Sequence, residues 1–296
     1  MRIPPSPELP PGFELDLPRR GTTFVAELPG PPGAPTLFLL HGLACTGYLN
    51  WFPSLEELGK RYRVVLMDQR GHGRGMPVGR WFRLRDLADD VVAVADALGI
   101  QRFVPVGYSM GGPVAQLVWR HHPERVEGLV LCATARNFRG TPYERLFFAL
   151  TPLIVATMAM RRPARASEAI ARTLTELPLG ASLEDLDVPK WAFAEFRSTS
   201  PWTMVQAVSA IGQFSSHRWI HHVDVPTAVV VTTRDRFIAP SRQIKLAQAI
   251  DGATMHPFAG SHAACVLGAE QFVPALVDAC ESVASRIDQA RPKALP

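Results

Sequence analysis

Residues 103–112 read FVPVGYSMGG, an apolar run followed by a glycine-rich turn. The run Phe103–Val106 is typical of a strand buried on both faces, and the residues from 110 onward have helical spacing. Ser109 is therefore predicted to lie on a sharp, strained strand-to-helix turn, where Gly107 and Gly111 let the strand and helix approach closely. Such a turn projects a hydroxyl into a cleft beside free helix N–H groups, which favour a developing oxyanion. The plainer alternative is a glycine-rich turn with an incidental serine.

Similar apolar runs recur along the chain and alternate with segments of helical spacing. The further strand-like runs are Thr22–Leu28, Thr36–Leu40, Val64–Met67, Leu129–Cys132, Thr227–Thr232 and Thr254–Phe258. Helical spacing covers residues 86–98, 110–121, 241–250 and 269–287. Residues 1–12 are rich in proline and are predicted to be a loose arm. The alternation predicts an α/β fold, with a doubly wound, mostly parallel β-sheet flanked by helices.

Residues 136–220 break the alternation, because they contain no good strand while aromatic residues, leucine and methionine are abundant. We predict a helical cap here, inserted after the sixth strand of the sheet, with residues 1–135 and 221–296 forming the core. Residues 146–160 are apolar on nearly every side, and such a helix either buries all faces or offers one to a ligand. The predicted cap pocket residues are Phe147, Leu150, Ile154 and Met158. Packing of the cap on the core is the alternative.

A serine hydroxyl is a poor nucleophile until a base removes its proton, and nine histidines compete for that role. His262 is the predicted base, since it lies in a loop between a strand-like run and a helix, where an imidazole has room to move. The others are less well placed. His121 and His122 end a helix, His256 lies within a strand, and His217, His221 and His222 lie at the end of the cap.

The imidazole needs a carboxylate that fixes its tautomer and stabilises its protonated form. Asp235 follows the strand Thr227–Thr232, at the carboxyl end where open α/β sheets place their sites. Asp224 precedes the same strand and so falls at the opposite edge. A salt bridge from Asp235 to Arg234 or Arg236 is the alternative reading.

The oxyanion of an acyl-transfer reaction needs two N–H donors. Met110 follows the nucleophile and supplies the first. The loop after Thr36–Leu40 begins His41-Gly42-Leu43, and the Leu43 N–H is the predicted second donor. His41 is predicted to hold this loop through hydrogen bonds rather than to act in catalysis.

These residues resemble the ordered landmarks of the α/β-hydrolase superfamily, in its serine-nucleophile, esterase- and lipase-like branch. The matching elements are His41-Gly42, Asp68-Gln69-Arg70-Gly71-His72-Gly73, Gly107-Tyr108-Ser109-Met110-Gly111-Gly112, Asp235 and Gly260-Ser261-His262. The resemblance spans roughly residues 20–136 and 220–288, and it includes the family's order of nucleophile, acid and histidine. It implies that Asp68 and Arg70 belong to a structural turn and have no catalytic role. Gly75 stands where members often have serine.

The resemblance implies a serine hydrolase that forms an acyl-enzyme with carboxylic ester substrates, and the apolar cap segment predicts that these have a hydrophobic acyl or aryl part. Dehalogenases and epoxide hydrolases of this superfamily carry aspartate at the nucleophile position, so Ser109 argues against both. An acyltransferase, a C–C bond hydrolase or a cofactor-free perhydrolase would use the same triad. A non-catalytic ligand-binding protein and a peripheral membrane protein are the alternatives of another class.

The composition of the chain argues against several classes of binding partner. The 31 basic residues are scattered among 27 acidic ones, for a net charge of +4, which argues against nucleic acid. The four cysteines are far apart and lack metal-ligand spacing, so we predict buried free thiols, no metal, no cofactor and a cytoplasmic protein. We also predict no signal peptide and no transmembrane segment. Peripheral membrane contact through the cap and Arg161, Arg162 and Arg165 stays open, and no oligomeric state is predicted.

Overall fold

A computed structural model describes residues 7–140, 145–146, 148–151 and 189–290. Its sheet has eight strands, in the spatial order β1-β2-β4-β3-β5-β6-β7-β8. The strands are β1 (Gly12–Leu17), β2 (Gly21–Leu28), β3 (Thr36–Leu40), β4 (Arg63–Met67), β5 (Val104–Tyr108), β6 (Leu129–Cys132), β7 (Thr227–Thr232) and β8 (Thr254–Phe258). β1 and β2 are antiparallel to their neighbours, and the pairs from β4 across to β8 are parallel.

Helices cover both faces of the sheet. In the described part of the chain they are α1 (Gly47–Trp51), α2 (Leu55–Gly59), α3 (Leu84–Ala97), α4 (Gly111–His121), α5 (Lys190–Arg197), α6 (Pro201–Gln213), α7 (Pro240–Ala247), α8 (Ala264–Leu267) and α9 (Ala269–Ala290). α3, α4 and α7 share one hydrophobic core with one sheet face, and α1, α2 and α9 share a second core with the other. The predicted doubly wound α/β fold is therefore confirmed.

The central strands are apolar at every position because each of their faces meets a helical layer. In β3, Phe38 packs into the first core while Leu37 and Leu39 pack into the second. The register pairs Leu40 with Gly107 and Tyr108 with Cys132, so that β3, β5 and β6 end together. The loops that follow these strands thus meet at one edge of the sheet.

Three features of the core differ from the sequence prediction. β1 was not predicted, because its apolar residues Phe13, Leu15 and Leu17 alternate with charged ones and do not form the continuous apolar run of the central strands. β5 runs to Tyr108, two residues beyond the predicted end, since Gly107 still pairs with both neighbouring strands. The five-residue helices α1 and α2 are too short to show a helical period.

Between β6 and β7 the described residues are mainly helical, in α5 and α6, with one isolated bridge between Asn137 and Ser215. Much of the predicted cap, including the arginines at 161, 162 and 165, lies outside the described residues. The boundaries 136–220 stay a prediction. No helix in the described part of the chain is long and apolar enough to cross a membrane.

Candidate active site

Ser109 occupies the turn between β5 and α4 with a backbone φ of +50°, in the left-handed region that L-residues rarely adopt. Neighbouring glycines make this turn possible. A Cβ at Gly107 would lie 2.3 Å from the Gly111 oxygen, and one at Gly111 would lie 2.2 Å from the Leu40 oxygen. Any side chain at either position would push β5, α4 and β3 apart. The strained turn leaves the Ser109 hydroxyl pointing towards the loop that follows β8.

His262 lies in that loop, just before the short helix α8. Its Nε2 is 2.8 Å from Ser109 Oγ, although the two residues are 153 positions apart in sequence. The hydroxyl of Tyr108 donates a 2.8 Å hydrogen bond to the backbone oxygen of His262, which ties the loop to the end of β5. The residue beside the nucleophile therefore also positions the base.

Asp235 completes the chain of hydrogen bonds, with its Oδ2 2.7 Å from His262 Nδ1. Its Oδ1 accepts hydrogen bonds from the backbone N–H groups of Phe237 at 2.8 Å and Ile238 at 2.9 Å. The carboxylate is buried and is held from both oxygens. It thus fixes the imidazole in the tautomer whose Nε2 faces the serine hydroxyl.

A polar pair behind Asp235 was not predicted from the sequence. The Thr232 hydroxyl donates to Asp235 Oδ2 at 2.8 Å, while Gln243 Nε2 donates to Thr232 Oγ1 at 2.7 Å. Because the Thr232 oxygen already accepts from the Gln243 amide, the hydroxyl proton of Thr232 is directed at the Asp235 carboxylate. Gln243 lies in α7 and is fully buried. Its sequence neighbours give no sign of this contact.

Burial alone would raise the pKa of Asp235, but hydrogen bonds oppose it. The bond from His262, the attraction of its imidazole, the Ile238 N–H and the Thr232 hydroxyl together leave the pKa of Asp235 below its ordinary value. The carboxylate is therefore ionised throughout the neutral range, as a partner for a protonated imidazole must be.

The loop after β3 is held by two buried side chains. Gln69 N donates to His41 Nε2 at 2.9 Å, and Gln69 Nε2 donates to the His41 oxygen at 2.7 Å. Asn50 Oδ1 accepts from the N–H of Gly42 at 2.9 Å. Burial lowers the pKa of His41 to about 4, so its imidazole is neutral and its Nε2 accepts. These contacts match the loop-holding role predicted for His41.

Each of the two predicted oxyanion donors, Leu43 and Met110, follows a residue of the nucleophile turn or next to it. Leu43 follows the anchored Gly42. A Cβ added to Gly42 would lie 3.4 Å from Ser109 Cβ. Met110 directly precedes α4. Neither N–H donates a hydrogen bond to another residue in the part of the chain that is described. Their role as oxyanion donors stays a prediction.

Comparison with known proteins places this arrangement in a family. The family model described as alpha/beta hydrolase fold matches residues 35–269, which is most of the chain. This chain belongs to the α/β-hydrolase fold family. Its match to epoxide hydrolase B of Mycobacterium tuberculosis is 39% identical over 116 residues, but spans only 38% of this chain and 32% of that protein. A match to 3-oxoadipate enol-lactonase 1 of Acinetobacter baylyi is 36% identical over 97 residues, 33% of this chain and 36% of that protein.

A solved structure extends the likeness to nearly the whole α/β-hydrolase fold. The enol-lactonase of Burkholderia xenovorans superposes with a TM-score of 0.72 at 24% identity, covering 91% of this chain and 100% of that one. At this identity the likeness establishes the fold alone. The two sequence matches, by contrast, are with proteins named as hydrolases, and each covers about a third of that protein's length.

The rival residues have other partners in this α/β-hydrolase. Asp224 accepts a hydrogen bond from Trp119 Nε1 at 3.2 Å, far along the chain from the histidine loop. His122 bonds to Asp89 at 2.8 Å at the end of α4. Asp68 accepts from Gly47 N at 2.8 Å and from Arg74 N at 2.9 Å, which is the structural turn that the resemblance implied.

Of the four predicted pocket residues, only Leu150 lies among the described residues. Phe147, Ile154 and Met158 lie outside the described residues, and Leu150 is 48% exposed. An apolar surface that the sequence did not suggest lies closer to the triad. The Phe237 ring is 49% exposed, and its centroid is 5.4 Å from that of His262. Phe237 follows Asp235 by two residues, which fixes its ring at this place.

The other predictions from composition concern cysteines and metals. Cys132, Cys265 and Cys280 are buried, Cys45 is half-buried, and all four are unpaired. Burial raises the pKa of Cys280 to about 12, so this thiol stays protonated. Across the described ranges, no group of three His, Cys, Asp or Glu side chains is arranged as a metal site.

Proposed function

We propose that this α/β-hydrolase cleaves carboxylic esters through an acyl-enzyme on Ser109, with His262 as general base and Asp235 as its partner. One observation carries the proposal: an unbroken chain of hydrogen bonds, at 2.8 and 2.7 Å, joins the hydroxyl of a strained serine to a buried, ionised carboxylate. Such a chain activates a serine for attack on an acyl carbon.

The reaction follows from the contacts. Ser109 Oγ attacks the ester carbonyl as its proton passes to His262 Nε2, and the resulting oxyanion accepts hydrogen bonds from the N–H groups of Leu43 and Met110. The imidazolium, stabilised by Asp235, returns the proton to the departing alcohol. Water then enters, loses a proton to the imidazole, and attacks the acyl-enzyme to release the acid and the free serine.

The nucleophile separates this proposal from epoxide opening, which the name of one relative suggests. Attack by Ser109 Oγ on an epoxide carbon would form an ether, which water does not readily hydrolyse, so the enzyme would be consumed in one turnover. Attack on an acyl carbon forms an ester that water cleaves. A serine is therefore suited to esters, lactones and related acyl compounds, and the enol-lactonase relative acts on a bond of that class by its name.

The preference for a hydrophobic acyl or aryl part rests on the exposed ring of Phe237 beside His262 and on the apolar segment predicted for the cap. When the oxyanion donors bind the carbonyl oxygen of a substrate, its acyl chain would cover the Phe237 ring and remove apolar surface from water. Each buried methylene contributes about 0.8 kcal/mol. We expect kcat/KM to rise severalfold from acetyl to hexanoyl p-nitrophenyl esters. Phe237→Ala should flatten that rise.

The test is a series of p-nitrophenyl esters assayed with the wild type, Ser109→Ala and Ser261→Ala. Ser261 lies next to the base on the same loop, so it is the matched control and should keep full activity. Ser109→Ala should lose both ester turnover and labelling by a fluorophosphonate probe. Unchanged turnover in Ser109→Ala would overturn the proposal, and equal rates along the series would remove the hydrophobic preference alone.

A further inference from the structure

A concave surface lies between the segment that follows β6 and the helix α7. It is a cleft of about 260 Å³, here named the basic cleft. Five of its lining side chains are cations: Arg136, Arg139, Arg145, Arg242 and Lys245. Among the described residues that line it there is no aspartate or glutamate. The net charge of +4 for the whole chain makes this local concentration unusual.

Several of these cations are held in place by neutral groups. Arg242 Nη2 donates to Asn137 Oδ1 at 2.9 Å, and the Nε of Arg139 donates to the Gly212 oxygen. Arg145 and Lys245 form no ion pair with another residue of the described chain. Backbone and amide contacts thus help to position the guanidinium groups of Arg139 and Arg242.

Like charges that line one cleft repel, although water weakens the repulsion because Arg139, Arg145 and Lys245 are exposed. Burial, with further contributions from Arg136 and Arg242, lowers the pKa of His217 at the same wall. An anion in the cleft would offset this repulsion. The cleft is smaller than the roughly 300–1,000 Å³ of pockets for drug-sized ligands, so it suits a small molecule.

We propose that the basic cleft binds the phosphate group of a small, soluble phosphate ester or diphosphate. Guanidinium groups pair with phosphate oxygens through two parallel N–H bonds, and two to three negative charges would balance much of the cationic wall. The cleft adjoins the nucleophile turn, because the Thr134 hydroxyl donates to the Ser109 oxygen at 2.9 Å and Ala135 lines the cleft. This proposal does not depend on the esterase activity.

The experiment is calorimetric titration of the full chain with pyrophosphate at about 0.15 M ionic strength, where exposed charges are screened. We expect one binding site in the wild type and at least a tenfold weaker affinity in the double variant Arg145→Ala/Lys245→Ala. Both side chains are exposed and lack ion-pair partners in the described chain, so the fold should survive their loss. Arg85→Ala, which removes an exposed arginine from α3, is the control and should bind like the wild type.

Three results would overturn the proposal: no heat of binding in the wild type, equal affinity in the double variant, or an equal loss in Arg85→Ala, which would indicate non-specific charge attraction. A parallel co-sedimentation with phosphatidic acid vesicles distinguishes the source of the phosphate. Binding to vesicles without binding to pyrophosphate would overturn the assignment to a soluble ligand. Because Ser109→Ala keeps the cleft, its unchanged pyrophosphate affinity would separate this site from the ester site.

Discussion

At the scale of single residues, the triad divides its work between chemistry and positioning. In the proposed mechanism Ser109 and His262 exchange the proton, while Asp235 holds the imidazole through Nδ1 at 2.7 Å. Asp235→Asn would present an amide that donates as well as accepts, and the imidazole would settle in the wrong tautomer. We expect kcat to fall by about 10⁴-fold with little change in KM. The measurement is steady-state turnover of one p-nitrophenyl ester.

Asp224→Asn is the matched control for that change. Its carboxylate accepts from Trp119 Nε1, and it lies at the opposite edge of the sheet. We expect ester turnover within twofold of the wild type. If Asp224→Asn lost activity while Asp235→Asn kept it, the assignment of the acid would be wrong.

The pair behind Asp235 allows a finer prediction. Thr232→Val keeps the shape of the side chain but removes the hydroxyl that donates to Asp235 Oδ2 and accepts from Gln243. The hydroxyl lowers the pKa of Asp235, so its loss should raise that pKa and weaken the carboxylate as a partner for the imidazolium. We expect a tenfold or smaller loss of kcat, measured across a pH series. Thr232→Ser should restore the wild-type rate, and a failure to do so would indicate a packing effect.

At the scale of elements, the helix α5 is bonded to the loop after β3, which carries Leu43, one of the two predicted oxyanion donors. The Glu195 carboxylate accepts from the Thr46 hydroxyl and lies 3.4 Å from Arg74 Nη2. Trp191 of α5 packs edge-on against Phe52, with ring centroids 5.1 Å apart. The same Thr46 accepts from Leu49 N and so caps α1. One carboxylate therefore links the cap segment to the start of α1.

Glu195→Ala should loosen this link. Since the pair with Arg74 is partly exposed, the loss of stability should be about 1 kcal/mol, or a Tm lower by about 2–4 °C. We expect a two- to tenfold fall in kcat/KM for long-chain esters, because α5 would no longer hold the loop. Glu56→Ala is the control, as it removes only an exposed pair with Lys60 and should change neither quantity. Equal effects in the two variants would contradict a link between cap and loop.

The elements also show what a sequence can reveal. Most of the strands are apolar runs, so seven of the eight have counterparts in the sequence pattern, while β1 alternates apolar and charged residues. Ser109, Asp235 and His262 could be proposed because each follows a strand at the same edge. Gln243, Tyr108 and Glu195 act through partners set by tertiary packing. Nothing in their immediate sequence marks those contacts.

At the scale of the whole molecule, acid stability should depend on two buried histidines that hold the loops of the site. Burial lowers the pKa of His41 to about 4, and burial together with the nearby His41 lowers the pKa of His72 to about 3. Their rings lie edge to face, with centroids 5.2 Å apart. In the unfolded chain both would titrate near pH 6.5. The unfolded state therefore binds more protons than the folded state below that pH.

The sign of the pH dependence follows from this difference. The free energy of unfolding should be constant above about pH 7 and should fall as the pH drops from 6.5 towards 4, by about 3 kcal/mol from His41 alone. Urea unfolding between pH 4.5 and 8 measures this slope. His72→Gln should make the slope shallower, whereas His222→Gln, which changes an exposed ring, should leave it as in the wild type. A wild-type slope in His72→Gln would mean that the loss of stability in acid arises elsewhere, because only a group whose protonation differs between the two states can produce it.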